Sequence, residues 1–484
     1  MSFTTVLLGH ELLELERQLA DQTRNSLEYF NQAGLATASH LRNLYPGRPL
    51  HFLVAPGRKG AIALTTAMEL HQSGDKCEVL VSRKGSYAEA NLSFDDVFKQ
   101  IYRRAPQSLW ATTAPSPNSV VIDGMYGFDH KLEQSQSDEC AAIAALPNHK
   151  VAIETPSGVE ADTGRRAPIA LECDNTIAFT MPLVCHMLMP GRSLCGTVHL
   201  CPVGVKNSDI AQLDTRLSCN ASPDFTAILP EATENKYSRG AVAVVASRHL
   251  PGAAYLAAAA AQRSGAGAVF MLAPPEQLGY YQRLLPSAIV IECKSPREVL
   301  DALEDSRIGS LVAGPGLLEI REDSGLLKQM LALDLPTVLD ASALDALHPI
   351  RFQLPVREQS LVVTPHQGEF ARLFPELRDE HPLAAVRKAA EGLGATLLLK
   401  GFTSLIASRD RVVFNINARP DLAVAGSGDV LSGMIGALLC RLDDGMDAAC
   451  FAAWWHSAAG KGFGLIAEDI IANLPGIAEI ELGA

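Results

Sequence analysis

One short segment of this sequence combines the residue types that phosphoryl chemistry requires. Residues 425–431 read Ala-Gly-Ser-Gly-Asp-Val-Leu and open an apolar run, 432–439, that is predicted to be helical. Small residues let backbone N–H groups approach an anion, and a helix N-terminus adds a favourable field. A carboxylate at Asp429 can accept a hydroxyl proton while those amides bind phosphate. Taken alone, the segment is equally consistent with a glycine-rich turn in which Asp429 caps a helix.

Four other polar or glycine-rich turns each follow a predicted strand. They occupy residues 314–316, 340–342, 364–369 and 400–401. Ligands of open α/β sheets bind beyond the carboxyl ends of the strands, so these turns belong at one edge of a sheet. Each turn alone is also explained as a plain connection. Four at the same place in successive strands favour a shared binding site.

The elements that must position these turns are strands alternating with helices. Residues 11–44 are predicted to be helical, and apolar strand patterns follow at 51–55, 77–81, 119–123, 151–154, 176–179 and 197–200. A second series occupies 240–245, 268–272, 310–313, 337–340, 361–364 and 396–400. Continuous apolar strands separated by helices indicate parallel sheets covered on both faces. The pattern weakens between 205 and 234, which predicts a linker there. We therefore expect an α/β protein of two Rossmann-like three-layer domains, at 1–220 and 225–484.

The motif at 426–429 resembles the catalytic motif of ribokinase-like kinases. Together with residues 235–240, 314–316, 364–369 and 400–401, it resembles the NAD(P)H-hydrate dehydratase branch of that superfamily, over residues 225–484. The resemblance implies a ribokinase-like fold and, as substrate, NADH or NADPH hydrated at the nicotinamide ring. It further implies ADP or ATP, with Mg²⁺, as the donor that phosphorylates the hydrate hydroxyl before phosphate leaves. A ribokinase-like kinase of a vitamin precursor, with a non-catalytic N-terminal binding module, is the alternative.

Matching positions carry the roles of the family's residues onto this sequence. The resemblance makes Asp429 the base. It assigns the hydrate, here the S epimer, to Ala253, Gly316, His366 and Asp429, and it assigns the nucleotide to Lys400, Gly401, Phe402, Thr403, Ser404 and Gly428. One departure is the segment 245–249, which replaces a turn rich in glycine and serine. Its Arg248 either reaches phosphate or lies exposed, and both interpretations stay open.

The N-terminal half resembles the NAD(P)H-hydrate epimerase domain that is commonly fused to this dehydratase. The matching segments are 154–164 and 123–127, and the resemblance covers residues 12–205. It implies an active bifunctional enzyme in which Glu154 contacts the hydrate. It also implies a potassium ion held by Asp123 and Ser157.

Several positions of this half depart from the epimerase pattern. Residues 58–63 read Arg-Lys-Gly-Ala-Ile-Ala where the family has a loop with two asparagines and an aspartate, and Glu154 replaces the catalytic aspartate. Lys59 stands where an asparagine ligand of potassium belongs, and its ammonium can instead occupy the place of the ion and neutralise Asp123. We expect a degenerate domain. An active but divergent epimerase, or a site for another ligand, are the alternatives.

Composition excludes several classes of partner and compartment. The 484 residues carry a net charge of −13 without a run of lysines or arginines, which argues against nucleic acid or an anionic membrane as partner. Ten cysteines without a Cys-x-x-Cys pair indicate free thiols in a reducing compartment. The N-terminal residues do not read as a signal peptide. We expect a cytoplasmic protein that forms a homo-oligomer.

Overall fold

The computed structural model describes residues 3–25, 27–82, 92–111, 113–127, 134–213, 215–357 and 359–483. The chain divides into two compact units. The N-terminal unit comprises Thr5–Thr215, and the C-terminal unit comprises Arg216–Ala484 together with Met1–Thr4.

The N-terminal unit contains a wholly parallel sheet of six strands. Strand β1 (Phe3–Thr5) belongs to the other sheet. The six strands of this sheet, in chain order, are β2 (Leu50–Val54), β3 (Cys77–Val81), β4 (Val120–Gly124), β5 (Lys150–Ile153), β6 (Asn175–Phe179) and β7 (Thr197–Cys201). Their order across the sheet is β3-β2-β4-β5-β6-β7. The helices are α1 (Gly9–Thr23), α2 (Glu28–Leu44), α3 (Arg58–Gln72), α4 (Leu92–Tyr102), α5 (Gln134–Ala144), α6 (Gly191–Cys195) and α7 (Asn207–Ile210).

The C-terminal unit is built on a larger, mixed sheet. Its strands in chain order are β8 (Leu217–Asn220), β9 (Ala241–Val245), β10 (Ala268–Ala273), β11 (Ile289–Glu292), β12 (Ser310–Ala313), β13 (Thr337–Leu339), β14 (Leu361–Val363), β15 (Thr396–Leu399), β16 (Ser404–Ala407) and β17 (Val412–Asn415). The order is β1-β8-β17-β16-β15-β14-β13-β12-β9-β10-β11. Strands β9 to β15 pair in parallel, whereas β16 runs antiparallel to both of its neighbours.

Helices cover the sheet of the C-terminal unit. They are α8 (Pro251–Arg263), α9 (Leu278–Leu284), α10 (Pro296–Leu303), α11 (Ser324–Ala332), α12 (Ser342–Leu347), α13 (Gln367–Leu373), α14 (Pro382–Leu393), α15 (Ser427–Leu439), α16 (Gly445–Ala459) and α17 (Ala467–Glu481). The apolar sides of α8, α15, α16 and α17 form one buried cluster with the central strands. Burial of such apolar faces is the main force that holds an α/β unit together.

The predicted alternation of strands and helices is confirmed in both units, and every predicted strand is present within one or two residues. The structure adds the short strands β1, β8, β11, β16 and β17, of which β8 lies inside the stretch for which the sequence indicated a linker. β16 and β17 follow β15 without an intervening helix, and β11 is only partly buried, so these strands do not fit the pattern of buried strands alternating with helices on which the prediction depended. All ten cysteines are free, as predicted, and nine of them are buried.

Among the helices in the part of the chain that the structure describes, none combines the length and the apolar character needed to cross a bilayer.

Candidate functional site

The segment Gly426–Asp429 of the C-terminal unit forms the first turn of α15. The sequence predicted the helix from residue 432, but it begins at Ser427, so Asp429 lies inside its first turn. Gly426 makes this start possible because its φ of 85° is a left-handed conformation that glycine adopts without strain. The unpaired amides of the first turn and the helix dipole therefore face the place where the motif predicts an anion.

Close packing against α8 fixes the position of this turn. A Cβ added to Gly433 of α15 would lie 2.0 Å from the carbonyl oxygen of Ala257 in α8, so only glycine permits the two helices to approach this closely. A Cβ at Gly426 would likewise lie 2.5 Å from Leu256. The loop that carries Asp429 is thus held by the buried core of the unit.

Asp340 and Lys400 form a partly buried ion pair beside the first turn of α15. The Nζ atom of Lys400 donates to Oδ1 of Asp340 at 2.7 Å, and the hydroxyl of Ser432 donates to Oδ2 at 2.6 Å. Asp340 is 1% exposed and directly follows β13, whereas Lys400 follows β15. A Cβ at Gly428 would lie 3.2 Å from the Lys400 ammonium, so the glycine turn and the lysine are in direct contact.

The turn after β14 adds a third acidic group to this edge of the sheet. Nδ1 of His366 accepts from the amide of Gly368 at 3.0 Å, and the Glu369 carboxylate accepts from the amide of His366 at 2.8 Å. This reciprocal cap fixes the start of α13. It places Oε2 of Glu369 4.0 Å from the Nζ atom of Lys400.

The carboxyl group of Asp429 is tuned for proton transfer near neutral pH. Burial disfavours its ionised form, and the charges of Asp340 and Glu369 act in the same direction, against the opposing charge of Lys400. Together they raise the pKa of Asp429 to about 7. A general base is most effective when its pKa lies near the working pH, so the environment of Asp429 suits it to accept a hydroxyl proton.

Two cavities lie on either side of residues 424–428. The first has a volume of about 470 Å³, and its polar lining includes His366, Lys400, Ser404 and Gly428. Leu422, Val424 and Leu431 contribute apolar walls to it. The second has a volume of about 630 Å³ and is lined by Leu256, Val424, Ala425, Gly426, Asp429, Leu465, Ile466, Ala467 and Glu468. Asp429 therefore faces one cavity while Lys400 faces the other.

The structure brings together most of the predicted residues. Gly401 and Phe402 also line the cavity of Lys400, together with His366, which the resemblance assigned to the hydrate. Thr403 does not line either cavity. Ala253 and Gly316 lie against each other, since a Cβ at Gly316 would be 3.2 Å from that of Ala253, but they line neither cavity.

In the N-terminal unit, Lys59 fills the place where the epimerase resemblance puts a cation. Its Nζ atom lies 2.8 Å from Oδ2 of Asp123, 2.7 Å from the carbonyl oxygen of Thr155 and 3.4 Å from the hydroxyl of Ser157. Lys59 is 1% exposed and Asp123 is completely buried. Ser157 also donates from its amide and its hydroxyl to Asp123, so the two predicted metal ligands bind each other and the ammonium.

Arg58 occupies the position next to Glu154. Its guanidinium forms ion pairs with Glu154 and Glu16, and it donates to the hydroxyl of Tyr29 at 3.1 Å. The guanidinium carbon also lies 5.4 Å from the centre of the Tyr29 ring, in cation–π range. Arg58 and Glu154 are each 1% exposed, so this cluster is closed to solvent.

Sequence reasoning missed several residues that the geometry puts at these sites. Asp340 was noted only as part of a turn, although it follows β13 just as Lys400 follows β15. Glu16 was missed because it lies 42 positions before Arg58 in the chain. The available signal was the unusual pair of adjacent cations at 58 and 59 ahead of an apolar run.

Two family models match the chain. One is described as NAD(P)H-hydrate dehydratase and matches residues 242–472, and the other is described as YjeF-related protein N-terminus and matches residues 27–185. Among solved structures, the ADP/ATP-dependent NAD(P)H-hydrate dehydratase from Bacillus subtilis, co-crystallized with ATP/Mg²⁺, is 27% identical. It covers 54% of this chain and 99% of its own, with a TM-score of 0.46. A ribokinase-like superfamily protein from Enterococcus faecalis is 22% identical over 54% of this chain and 95% of its own, with a TM-score of 0.49.

Curated relatives match nearly the whole chain. The bifunctional NAD(P)H-hydrate repair enzyme Nnr of Gloeobacter violaceus is 33% identical over 466 residues, which is 89% of this chain and 88% of the relative. The enzyme of the same name from Synechocystis sp. is 29% identical over 484 residues, which is 95% of this chain and 90% of the relative. This chain belongs to the family of bifunctional NAD(P)H-hydrate repair enzymes, and the model described as NAD(P)H-hydrate dehydratase matches its C-terminal unit.

Proposed function

We propose that the C-terminal unit dehydrates the S epimer of NAD(P)H hydrate with Asp429 as the base. The observation that carries this proposal is the position of Asp429, whose pKa is near 7, at the turn between the two cavities. We assign the nucleotide to the cavity of Lys400 and the hydrated nicotinamide ring to the cavity of Asp429. A hydroxyl in the second cavity then meets a phosphoryl group delivered from the first.

The reaction is a phosphoryl transfer followed by an elimination. The hydroxyl oxygen of the hydrate attacks the terminal phosphorus of ADP or ATP, and its proton passes to the Asp429 carboxylate. The bond from that phosphorus to the bridging oxygen breaks, which releases AMP or ADP. The ring nitrogen then expels phosphate with the C–O bonding pair, and loss of a neighbouring C–H proton restores the dihydronicotinamide. Phosphate is a far better leaving group than hydroxide, which is the reason for the first step.

The surroundings of Asp429 supply the charges that phosphoryl transfer requires. We propose that the Lys400 ammonium and the free amides of the first turn of α15 bind the transferred phosphoryl group. Asp340 holds Lys400 in place through its 2.7 Å hydrogen bond. The apolar walls formed by Leu422, Val424 and Leu431 suit the base of the nucleotide. Phe402, whose side chain is 44% exposed, stands at the same cavity and offers a ring for stacking.

Mg²⁺ fits the acidic side chains at this edge of the sheet. Asp340, Glu369 and Asp429 supply carboxylate oxygens near Lys400, and Mg²⁺ prefers such ligands together with substrate phosphates and water. When bound with the nucleotide, the ion would neutralise charge on the phosphates.

The remaining site assignments are proposals of the same kind. We assign Gly401, Thr403, Ser404 and Gly428 to the nucleotide. We assign Ala253, Gly316 and His366 to the hydrate. Ala253 lies one turn of α8 before Leu256, which lines the cavity of Asp429, and Gly316 packs against Ala253, whereas His366 lines the cavity of Lys400 and would lie where the two substrates meet. The homo-oligomeric state stays a prediction.

A turnover assay with separated epimers tests the function. Purified protein is mixed with the S hydrate and ADP or ATP, and the dihydronicotinamide absorbance and the inorganic phosphate are followed together. We expect one phosphate for each dihydronicotinamide restored and no reaction without nucleotide. Nucleotide-independent dehydration, or phosphorylated product that accumulates without return of the absorbance, would refute the proposal. The vitamin-precursor kinase alternative predicts no consumption of the hydrate.

A further inference from the structure

The potassium site that the family resemblance implies does not fit the residues of the N-terminal unit. The oxygens available to an ion are Oδ2 of Asp123, the hydroxyl of Ser157 and the carbonyls of Tyr126 and Thr155, and all four face the Nζ atom of Lys59 within 3.5 Å. An ammonium cannot donate a lone pair to a cation. A potassium ion among the same oxygens would lie next to a like charge in a buried region, where that repulsion is strong.

One oxygen of the carboxylate assigned to the hydrate is also occupied, and the other is buried. Oε2 of Glu154 is bound by the guanidinium of Arg58, which a second carboxylate, Glu16 of α1, holds from the other side. All of these groups are less than a tenth exposed. Oε1 of Glu154 has no hydrogen-bond partner among the described residues, but it is buried. A substrate could therefore reach this carboxylate only by displacing the residues that cover it, and displacement of Arg58 would leave an uncompensated buried charge.

Close backbone packing at the start of α3 fixes the positions of Arg58 and Lys59. Helix α3 begins at Arg58 itself, so both cations lie in its first turn. A Cβ at Gly60 would lie 1.8 Å from the carbonyl oxygen of Ala55, and one at Gly124 would lie 2.2 Å from the Cβ of Ala63. Glycine at these two positions therefore allows the start of α3 to pack closely against the ends of β2 and β4.

We infer that the N-terminal unit carries its own cations, Lys59 and Arg58, in the places of potassium and substrate, and that it neither binds potassium nor epimerises the hydrate. Repair of the R hydrate then requires a separate epimerising activity or the slow spontaneous reaction. The chain acts alone only on the S hydrate.

Thermal melting of the full-length protein in potassium chloride and in choline chloride, at equal ionic strength, tests the cation substitution. We expect the wild type to melt at the same temperature in both salts. Lys59→Asn should melt roughly 10 °C lower in choline chloride, since Asp123 loses its buried partner, and potassium should restore part of the loss. Lys76→Asn, at an exposed lysine of the same unit, should melt like the wild type in both salts.

Several results would overturn the inference. Potassium-specific stabilisation of the wild type would show that Lys59 does not fill the ion site. A Lys59→Asn variant that melts like the wild type and ignores potassium would show that Lys59 does not hold Asp123.

The inference that the unit does not epimerise the hydrate is tested on the wild-type protein, which is supplied with the pure R hydrate and nucleotide. This test does not depend on the folding of a variant. We expect return of the absorbance only at the spontaneous epimerisation rate, and full rescue by an added epimerase. Fast, potassium-dependent repair would contradict the inference. The S hydrate, run in parallel, separates this result from failure of the dehydratase.

Discussion

At the scale of single residues, the chemistry of Asp429 depends on its neighbours more than on its own identity. Burial and the charge of Asp340 raise its pKa to about 7, and Lys400 opposes them. An aspartate in water has a pKa near 4 and would be too weak a base at neutral pH. The same environment that makes Asp429 reactive makes its ionised form costly for the folded state.

Asp429→Asn should lower turnover of the S hydrate by about 10²–10⁴-fold, the usual effect of removing a positioned base. The pKa of Asp429 is higher in the folded state than in the unfolded state. Its carboxyl group therefore contributes stability to the folded protein at low pH, and this contribution is lost as pH rises from about 4 to about 7. The variant should therefore gain on the order of 2 kcal/mol relative to the wild type between roughly pH 5 and pH 8. Denaturant melts at both pH values measure this gain. Near-normal turnover would remove Asp429 from the mechanism.

Asp340→Asn tests the electrostatic control of Asp429. The amide can still accept from Lys400 and can face Ser432, but it removes a charge that raises the Asp429 pKa. The acid limb of the pH–rate profile should therefore move to lower pH, by roughly one unit. The control is Asp443→Asn at an exposed aspartate, which should leave the limb in place. An unmoved limb in Asp340→Asn would mean that Asp340 has only a structural role.

The sequence was sufficient for residues that belong to a compact motif and insufficient for their long-range partners. The turns that contain Asp429, Gly428 and Lys400 were predicted because small residues and charges recur at strand ends, and the resemblance then implied that Gly428 and Lys400 bind the nucleotide. Glu16 was not predicted, because its partner Arg58 is brought to it only by the fold, as helices α1 and α3 meet. Local spacing gives no information about such a pair, and the pair decides how the N-terminal site is filled.

At the scale of elements, the pair α8 and α15 connects the core to the site. Both helices belong to the same buried cluster, and α15 carries Asp429 in its first turn. Small side chains on the facing surfaces, such as Ala257 and Gly433, let the backbones approach. A change in the distance between the helices therefore moves the catalytic turn relative to Lys400, which lies on the sheet.

Gly433→Ala should separate these helices. Its Cβ would lie 2.0 Å from the backbone oxygen of Ala257, which cannot rotate away. Overpacking of this kind costs about 1–3 kcal/mol, and a 1 Å shift of Asp429 costs about 10²-fold in rate. The matched control is Gly476→Ala in α17, where a Cβ meets nothing within 4 Å and helix propensity should add about 1 kcal/mol of stability. Equal melting temperatures and rates for both variants would contradict this account.

The elements themselves were predictable where burial is continuous. The core strands are runs such as Val242–Val245 that are buried on both faces, and these patterns are unambiguous. The start of α15 was predicted five residues late, because glycine and serine disfavour helix and disguise the first turn. The antiparallel strands β16 and β17 follow β15 without an intervening helix, so the alternation of strands and helices that predicted the core strands does not apply to them.

At the scale of the whole molecule, the two units use buried charges in opposite ways. In the C-terminal unit, the Asp340–Lys400 pair lies beside a cavity and an acid of raised pKa. In the N-terminal unit, Arg58 and Lys59 form ion pairs with buried carboxylates, out of contact with solvent. Charges of the first unit thus lie beside a cavity, whereas those of the second are paired out of contact with solvent, although both units belong to a family named for two activities.

In the proposed reaction, the hydroxyl of the hydrate is phosphorylated before it leaves. S hydrate labelled with oxygen-18 at the hydroxyl, incubated with enzyme and unlabelled nucleotide in unlabelled water, tests this most directly. Mass spectrometry of the released inorganic phosphate should find one labelled oxygen in each phosphate, with restored dihydronicotinamide in equal amount. Unlabelled phosphate, with the label in water, would show that nucleotide hydrolysis and dehydration are separate events and would contradict the role given to Asp429.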